Sequence, residues 1–378
     1  MAGDKAGSAQ AFTGAGADCV MTIKCKNASQ FIFRSLHTVL LSALPERRLH
    51  ARALRAMKGF LRADDLQKQL CFAASGRAAL SLLFRYLHQR SNKPVDTVLL
   101  PDYLCNVVSV AAESANLRVC FYDTRDYAPC LMSVLHLLDE YDNACVLFAS
   151  IMGHRCAHDA LFAAVRTQHP HMPMIFDECQ NTVGLRDSLP LLVQEDTYCV
   201  VSFNNKMTQG LLGGAVYGIP QEEQGFDSQT HAERSRMQLN MTVSYIKQNA
   251  KLLREYCTGY YHAPDEEEKS SCEGKYSVAP HRIYKVSLAA AYLGLRNWAS
   301  NESRLLENAQ ALLAGSNAVQ QVSQCDNPIA LYVPIARDSN LKGKYPLKGR
   351  YWTSVPCPQY QEHQYIVVHS ILKVRDPQ

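Results

Sequence analysis

The sequence has fourteen cysteines but no Cys-x-x-Cys pair. That absence removes the spacing of structural zinc sites and of dithiol redox centres. There is no Gly-x-x-x-x-Gly-Lys-Ser/Thr loop, so the phosphate cradle of P-loop nucleotide hydrolases is excluded. There is no Gly-x-Ser-x-Gly elbow, which removes that route to Ser-His-Asp hydrolysis. Lysine and arginine form no dense stripe interleaved with aromatics, and the net charge is only +4, which argues against nucleic acid as a partner. No apolar run is long enough to span a bilayer; the stretch from Phe31 to Leu44 is interrupted by Arg34 and His37. The first seventeen residues are rich in small side chains and read as disordered rather than as a secretory leader. No internal repeat is visible.

What remains is a globular chain. Hydrophobic residues make up 47% and charged residues 20%, within the soluble range, and 378 residues are more than one core usually organises. Two domains are therefore expected. Cys71, Cys120, Cys145 and Cys199 lie in apolar, strand-like runs, where reduced cysteine behaves as a small hydrophobe; a reducing, cytosolic compartment follows. Residues 30–66 read as mainly helical. Phe31 to Leu44 predicts an amphipathic helix lying on the body or on a partner subunit. Arg47, Arg48, Arg52 and Arg55 form a basic patch that reads as a solvated helix face.

From about residue 70, strand-like and helix-like segments alternate. Strands are expected at 69–73, 97–100, 118–122, 144–150, 172–176, 198–203 and 214–217, with helices at 77–90, 107–114, 132–141 and 158–167. This alternation predicts an α/β fold, a mostly parallel sheet covered by helices on both faces. A helical region follows from Gln221 to about Tyr261, with Met237, Leu239, Met241, Val243 and Ile246 as its apolar positions. Residues 262–277 read as a mobile loop. Helices are expected at 287–298 and 302–314, and a small C-terminal α/β domain after them, with strands at 329–334 and 365–370. The expected boundaries are an N-terminal segment with helices over 1–66, a large ligand-binding domain over 67–220, a helical connection over 221–300 and the small domain over 301–378.

Two segments point to chemistry. In the first, the apolar strand Val200-Val201-Ser202-Phe203 delivers Asn204, Asn205 and Lys206 into a loop that ends at Gly213-Gly214. Alone, Lys206 also fits a surface lysine of a strand-to-strand turn. Held beyond a buried strand, its pKa is lowered by desolvation and the neutral amine becomes a nucleophile toward an aldehyde. In the second, Met174-Ile175-Phe176 ends in Asp177-Glu178-Cys179-Gln180. An acid at the end of a parallel strand lies where α/β sheets bind ligands, although an N-capping aspartate would read the same. Pyridoxal 5'-phosphate (PLP) requires both groups, a lysine at its aldehyde and an acid at its pyridine nitrogen. Two weaker elements fit the same cofactor. Ser75-Gly76-Arg77 lies between a strand end and a helix start, where free N–H groups bind phosphate. Tyr103, two residues after Pro101, has a ring able to stack on a flat cofactor or simply to pack at the sheet edge.

In this order, the segments resemble fold type I PLP enzymes, and among them the DegT/StrS family of sugar aminotransferases. The likeness covers residues 70–300. It rests on Ser75-Gly76-Arg77-Ala78-Ala79-Leu80, Pro101 to Tyr103, Met152-Gly153-His154, Asp177 to Gln180, Ser202-Phe203 with Lys206 and Gly213-Gly214, and Arg282 through Ala290. The resemblance implies a three-layer sandwich around a mostly parallel sheet and a homodimer with sites at the interface. It also implies roles. Lys206 forms the Schiff base and shuttles protons at the substrate, and Asp177 pairs with the pyridine nitrogen. Gln180 reaches the ring hydroxyl region, Ser75, Gly76, Arg77 and Ser202 hold the phosphate, and Tyr103 covers the ring face. The chain departs from the family pattern at Arg77 in place of threonine, in a serine-to-lysine gap shorter by one residue, at Pro280 in place of an asparagine that reaches the neighbour's phosphate, and at Leu212 in place of an acid. With asparagine absent, His281, Arg282 or another residue must substitute.

The leading expectation is therefore a PLP-dependent aminotransferase, passing an amino group from an amino-acid donor to a keto sugar or another biosynthetic keto intermediate. PLP-dependent lyase, decarboxylase or carbon–carbon bond-forming chemistry is the alternative, and a non-catalytic scaffold or regulatory protein of the same fold is the third. No metal site is expected: His154 and His158 are four residues apart, but Gly153 places the first in a loop and no glutamate lies between them.

Overall fold

In the computed structural model, residues 28–62, 70–155, 158–181, 184–203, 213–258, 278–300, 302–303, 305, 307, 332–336, 347–348, 353–360 and 363–367 are described. Helices α1 (Ala28–Ser42) and α2 (Glu46–Leu61) open the chain. Then come β1 (Leu70–Ala73), α3 (Gly76–Gln89), β2 (Thr97–Pro101), α4 (Val107–Glu113) and β3 (Arg118–Tyr122). A two-stranded ribbon, β4 (Thr124–Arg125) and β5 (Ala128–Pro129), leads to α5 (Leu131–Glu140), β6 (Ala144–Ala149), α6 (His158–Gln168), β7 (Met174–Asp177), α7 (Gly184–Leu192), β8 (Thr197–Ser202) and β9 (Gly214–Tyr217). Helices α8 (His231–Thr258) and α9 (Lys285–Arg296) follow, and then β10 (Tyr332–Ala336), β11 (Leu347–Lys348) and β12 (His363–Val367).

The main sheet has seven strands in the order β1-β9-β8-β7-β6-β2-β3, and only β9 runs against the others. Strands β2, β6 and β7 are buried along their whole length. Both faces are thus covered, which is why these segments are continuous apolar runs rather than alternating ones. The expected mostly parallel α/β sheet is the observed one. The three C-terminal strands form a separate antiparallel sheet in the order β10-β12-β11. The expected strands at 329–334 and 365–370 thus correspond to β10 and β12, each displaced by two or three residues.

Two segments differ from expectation. The long helix starts at His231 rather than Gln221, because Thr230 and Glu233 form a capping box. The Glu233 carboxylate accepts from the Thr230 N–H at 2.9 Å and hydroxyl at 2.8 Å, and the Glu233 N–H donates back to Thr230 Oγ1 at 3.2 Å. Helix α7 was not expected at all, since it is short and carries Pro190. The expected loop at 262–277, the N-terminal seventeen residues and most of 302–314 lie outside the described residues.

The two helices that flank the body are amphipathic in an incomplete way. On α1, Phe31 and Thr38 are buried, while Ile32, Phe33, Leu36 and Leu40 face outward. On α8, Met241 and Tyr245 face the core, while Leu239, Val243 and Ile246 are exposed. Among the described residues no helix is long and apolar enough to cross a membrane. Cys71, Cys105, Cys120, Cys130, Cys145, Cys179, Cys199 and Cys357 are thiols not joined in disulfides. Burial pushes the Cys71 and Cys145 thiols up to about 12, so they stay protonated and act as core hydrophobes.

Candidate active site

Register fixes where the strand ends meet. Ala73, Gly214 and Ser202 form one row across β1, β9 and β8. Two residues before Ser202 on β8, Val200 stands beside Asp177, which stands beside Ala149 of β6. Asp177 is therefore the last residue of a central strand, at the carboxyl edge of the sheet. It is 6% exposed, and its Oδ1 accepts a hydrogen bond from the Cys179 N–H at 2.9 Å. The Asp177 side chain thus turns the chain as well as placing a buried carboxylate at the strand end. Gln180, three residues on, is half-buried, and its Oε1 has no hydrogen-bond partner among the described residues.

The Ser75-Gly76 turn closes over the same place. Ser75 has extended backbone and caps α3, its Oγ accepting from the Ala78 N–H at 3.1 Å. Gly76 is there because nothing larger fits. A Cβ on it would lie 2.9 Å from Cys179 Sγ and 2.9 Å from Ser202 Cβ. Gly214 is equally constrained: a Cβ there would come within 2.7 Å of the Gly76 nitrogen and the Ser75 carbonyl. The two glycines bring the first turn of α3, the Ser202 hydroxyl and the Asp177–Cys179 bend into van der Waals contact. Free backbone N–H groups and the helix dipole make such a place attractive to an anion. Arg77 sits in the first turn of this helix, half-exposed.

A third strand of chain arrives from the C-terminal side. Ala73 bridges to Arg282, and the Ala74 N–H donates to the His281 carbonyl at 2.9 Å. The arginine's guanidinium lies 5.4 Å over the Phe226 ring. His281 and Arg282 thus lie beside the helix start.

The expected site residues divide as follows. Ser75, Gly76, Ser202, Asp177 and the bend leading to Gln180 are brought together. Tyr103 stands two strands away at the end of β2, only 1% exposed. It stacks on Tyr360 with centroids 4.1 Å apart, and Tyr127 stacks on the same Tyr360 at 4.9 Å. Lys206 lies outside the described residues. The residues flanking its segment are joined, Phe203 N–H to Gly213 carbonyl at 2.8 Å, so that segment leaves and returns at the rim beside Ser202.

A buried polar cluster behind Asp177 was not anticipated. The Glu178 carboxylate accepts from the Ser150 and Ser188 hydroxyls, the latter at 3.2 Å. His158 Nδ1 is 3.7 Å away and Arg155 Nε 3.6 Å. Burial raises the Glu178 carboxyl pKa, but His158, Ser150 and Arg155 outweigh it and hold the group below the ordinary glutamate value. His154, also fully buried, has no hydrogen bond to either ring nitrogen among the described residues and faces the Tyr127 ring at 5.7 Å. These two histidines do not converge on one point: His158 faces Glu178 and His154 faces Tyr127.

Solved structures with this architecture identify the fold. Helicobacter pylori PseC, an aminotransferase involved in the biosynthesis of pseudoaminic acid, matches with a TM-score of 0.57 at 11% identity, covering 90% of this chain and 91% of its own. The sugar aminotransferase CalS13 from Micromonospora echinospora matches at 0.56 and 16% identity, covering 94% and 95%. The E. coli GDP-4-keto-6-deoxy-D-mannose-3-dehydratase with bound hydrated PLP matches at 0.56 and 12%, covering 91% and 92%. The fold of this chain is the fold type I architecture of these enzymes. No family model matches the sequence, and no curated protein is similar to it in sequence.

Proposed function

We propose that the protein is a PLP-dependent enzyme, and that it transfers an amino group from an amino-acid donor to a keto substrate. One observation carries the proposal: the anion seat at Ser75-Gly76 and Ser202 lies against the bend that holds the buried Asp177 carboxylate. That pairing suits a molecule with a phosphate at one end and a basic ring nitrogen at the other. The missing side chain at Gly76 lets Ser202 and Cys179 pack directly on the helix start, which brings the Ser202 hydroxyl to the anion seat, and the half-buried Gln180 Oε1, unpartnered among the described residues, fits a polar ring substituent. Bound there, PLP would supply an aldehyde for amines to condense with and a ring that accepts electrons.

The chain's own residues would do the rest. The first turn of α3 and Ser202 orient the cofactor through its phosphate. Asp177, a buried carboxylate at the strand end, would hold a proton on the ring nitrogen. Lys206, on the segment between Phe203 and Gly213, would hold the cofactor at its aldehyde end and would carry protons to and from the substrate carbon. The aminotransferase reading draws support from the sugar aminotransferases among the structural neighbours; the substrate would be a keto sugar or another keto intermediate. A dehydratase with bound PLP on the same fold favours a second reading, elimination rather than transfer.

Two measurements on the purified, PLP-loaded protein decide. Borohydride reduction followed by peptide mapping should place the cofactor on Lys206; a label elsewhere, or none, overturns both catalytic readings. Adding glutamate alone should convert the bound cofactor to its amine form and change its absorbance. If the absorbance stays constant while a keto-deoxy sugar is dehydrated, the second reading replaces the first.

The protein is expected to be a cytoplasmic homodimer. Free, buried thiols suit a reducing compartment. The outward apolar residues of α1 and α8, Leu36 and Leu40 with Leu239 and Val243, supply a face that a second copy would cover. The double variant Leu239→Asp with Val243→Asp should sediment as a monomer with unchanged circular dichroism; a dimer of undiminished affinity would place the interface elsewhere.

A further inference from the structure

The basic helix face seen in the sequence is exposed, and part of it borders a cleft. Arg52 and Arg55 of α2 line a cleft of about 610 Å³ together with the capping residue Arg62, with Arg186 of α7 and with Arg296 at the end of α9. Five guanidiniums from three helices therefore surround one space, far apart in sequence and gathered by the fold. The cleft shares no residue with the cluster of Ser75, Ser202 and Asp177.

The other lining groups sharpen the chemistry. Glu302 is the cleft's single carboxylate, and it is already bidentate with Arg186 at 2.7 and 3.3 Å. Among the described residues Arg296 reaches only the Tyr292 hydroxyl, at 3.4 Å. Arg52, Arg55 and Arg62 make no ion pair among the described residues. Trp298 also lines the cleft; it is 4% exposed, and its indole N–H has no acceptor among the described residues. The walls thus offer donors and positive charge with almost no acceptor. Their complement is a small molecule rich in acceptors and carrying several negative charges. Planar guanidinium forks match phosphoryl oxygens in pairs, and the volume is that of a metabolite site.

We infer that this cleft binds a small polyphosphate-bearing anion, at a site separate from the active site. The probe is inorganic pyrophosphate, with ATP as a second, titrated into the PLP-loaded protein by calorimetry. The chain has two tryptophans, so Trp352→Phe leaves Trp298 as the only indole and its fluorescence reports the cleft directly. Pyrophosphate should bind at about one per chain and alter that fluorescence. Arg52→Ala with Arg55→Ala should weaken binding roughly tenfold or more, with cofactor absorbance unchanged. Both arginines are exposed, so the variant is expected to fold, and circular dichroism checks it. Retained cofactor absorbance separates failure at this cleft from failure at the active site. The inference is overturned if pyrophosphate and ATP leave the fluorescence unchanged, if the double variant binds them as tightly as wild type, or if citrate or a single-stranded 20-mer oligonucleotide binds more tightly than either.

Discussion

Replacing Lys206 with alanine lowers amino-group transfer by about 10²–10⁴-fold, the range that a positioned proton-transfer group contributes. The loss also includes the nucleophile itself, so the upper end is expected. The cofactor should still enter, because the seat at Ser75-Gly76 and Ser202 is untouched, and a spectrum of bound, unreduced PLP is the control. Lys206→Arg does not rescue: a guanidinium stays charged at any working pH and offers no neutral amine. Steady-state rates with glutamate and a generic keto acceptor check this. Activity within tenfold of wild type in either variant removes Lys206 from the mechanism.

Removing the carboxylate behind Asp177 has a different signature. Glu178→Ala leaves His158 and Arg155 without their buried counter-charge and two serine hydroxyls without an acceptor, a loss of about 3–5 kcal/mol. Glu178→Gln keeps acceptor and shape and loses less. The carboxyl's pKa is held down in the folded state, so the sign of the pH effect is fixed. The group stabilises the fold above its ordinary value of about 4.3 and stops doing so as the pH falls through its depressed value. Wild type should therefore lose stability on acidification more steeply than Glu178→Gln. Urea midpoints at neutral pH and near pH 4 measure both effects. A Glu178→Ala variant within about 1 kcal/mol of wild type would mean that the cluster is solvated.

The parts of this fold that the sequence disclosed are those with a local signature. Val98 to Leu100, Ala144 to Ala149 and Met174 to Phe176 are unbroken apolar runs, and the sheet that buries them on both faces follows from that. The reversed direction of β9 has no such signature: Gly214-Ala215-Val216-Tyr217 reads the same in either direction, and only its pairing with β1 and β8 reveals it. Helix α7 stayed hidden because Leu185, Ser188 and Leu192 place a buried face on just nine residues, with a proline among them. The Glu178 cluster draws on Ser150 and Arg155 of the turn after β6, His158 of α6 and Ser188 of α7, which share no regular spacing. Tyr103 was legible as an aromatic at a strand end; that Tyr360 stacks on it depends on a contact between residues 257 positions apart.

The bond between Phe203 and Gly213 bears on how such a lysine travels through evolution. The β8–β9 register is pinned by Ser202 against Gly214 and by the bare contact of Gly214 with Ser75, all outside the segment that holds Lys206. Residues can be gained or lost between the clasped ends at a small entropic cost, while the sheet and the anion seat stay where they are. A lysine's count from the preceding serine is then a poor marker of kinship, and the clasp with its flanking glycine is the better one to look for in distant sequences.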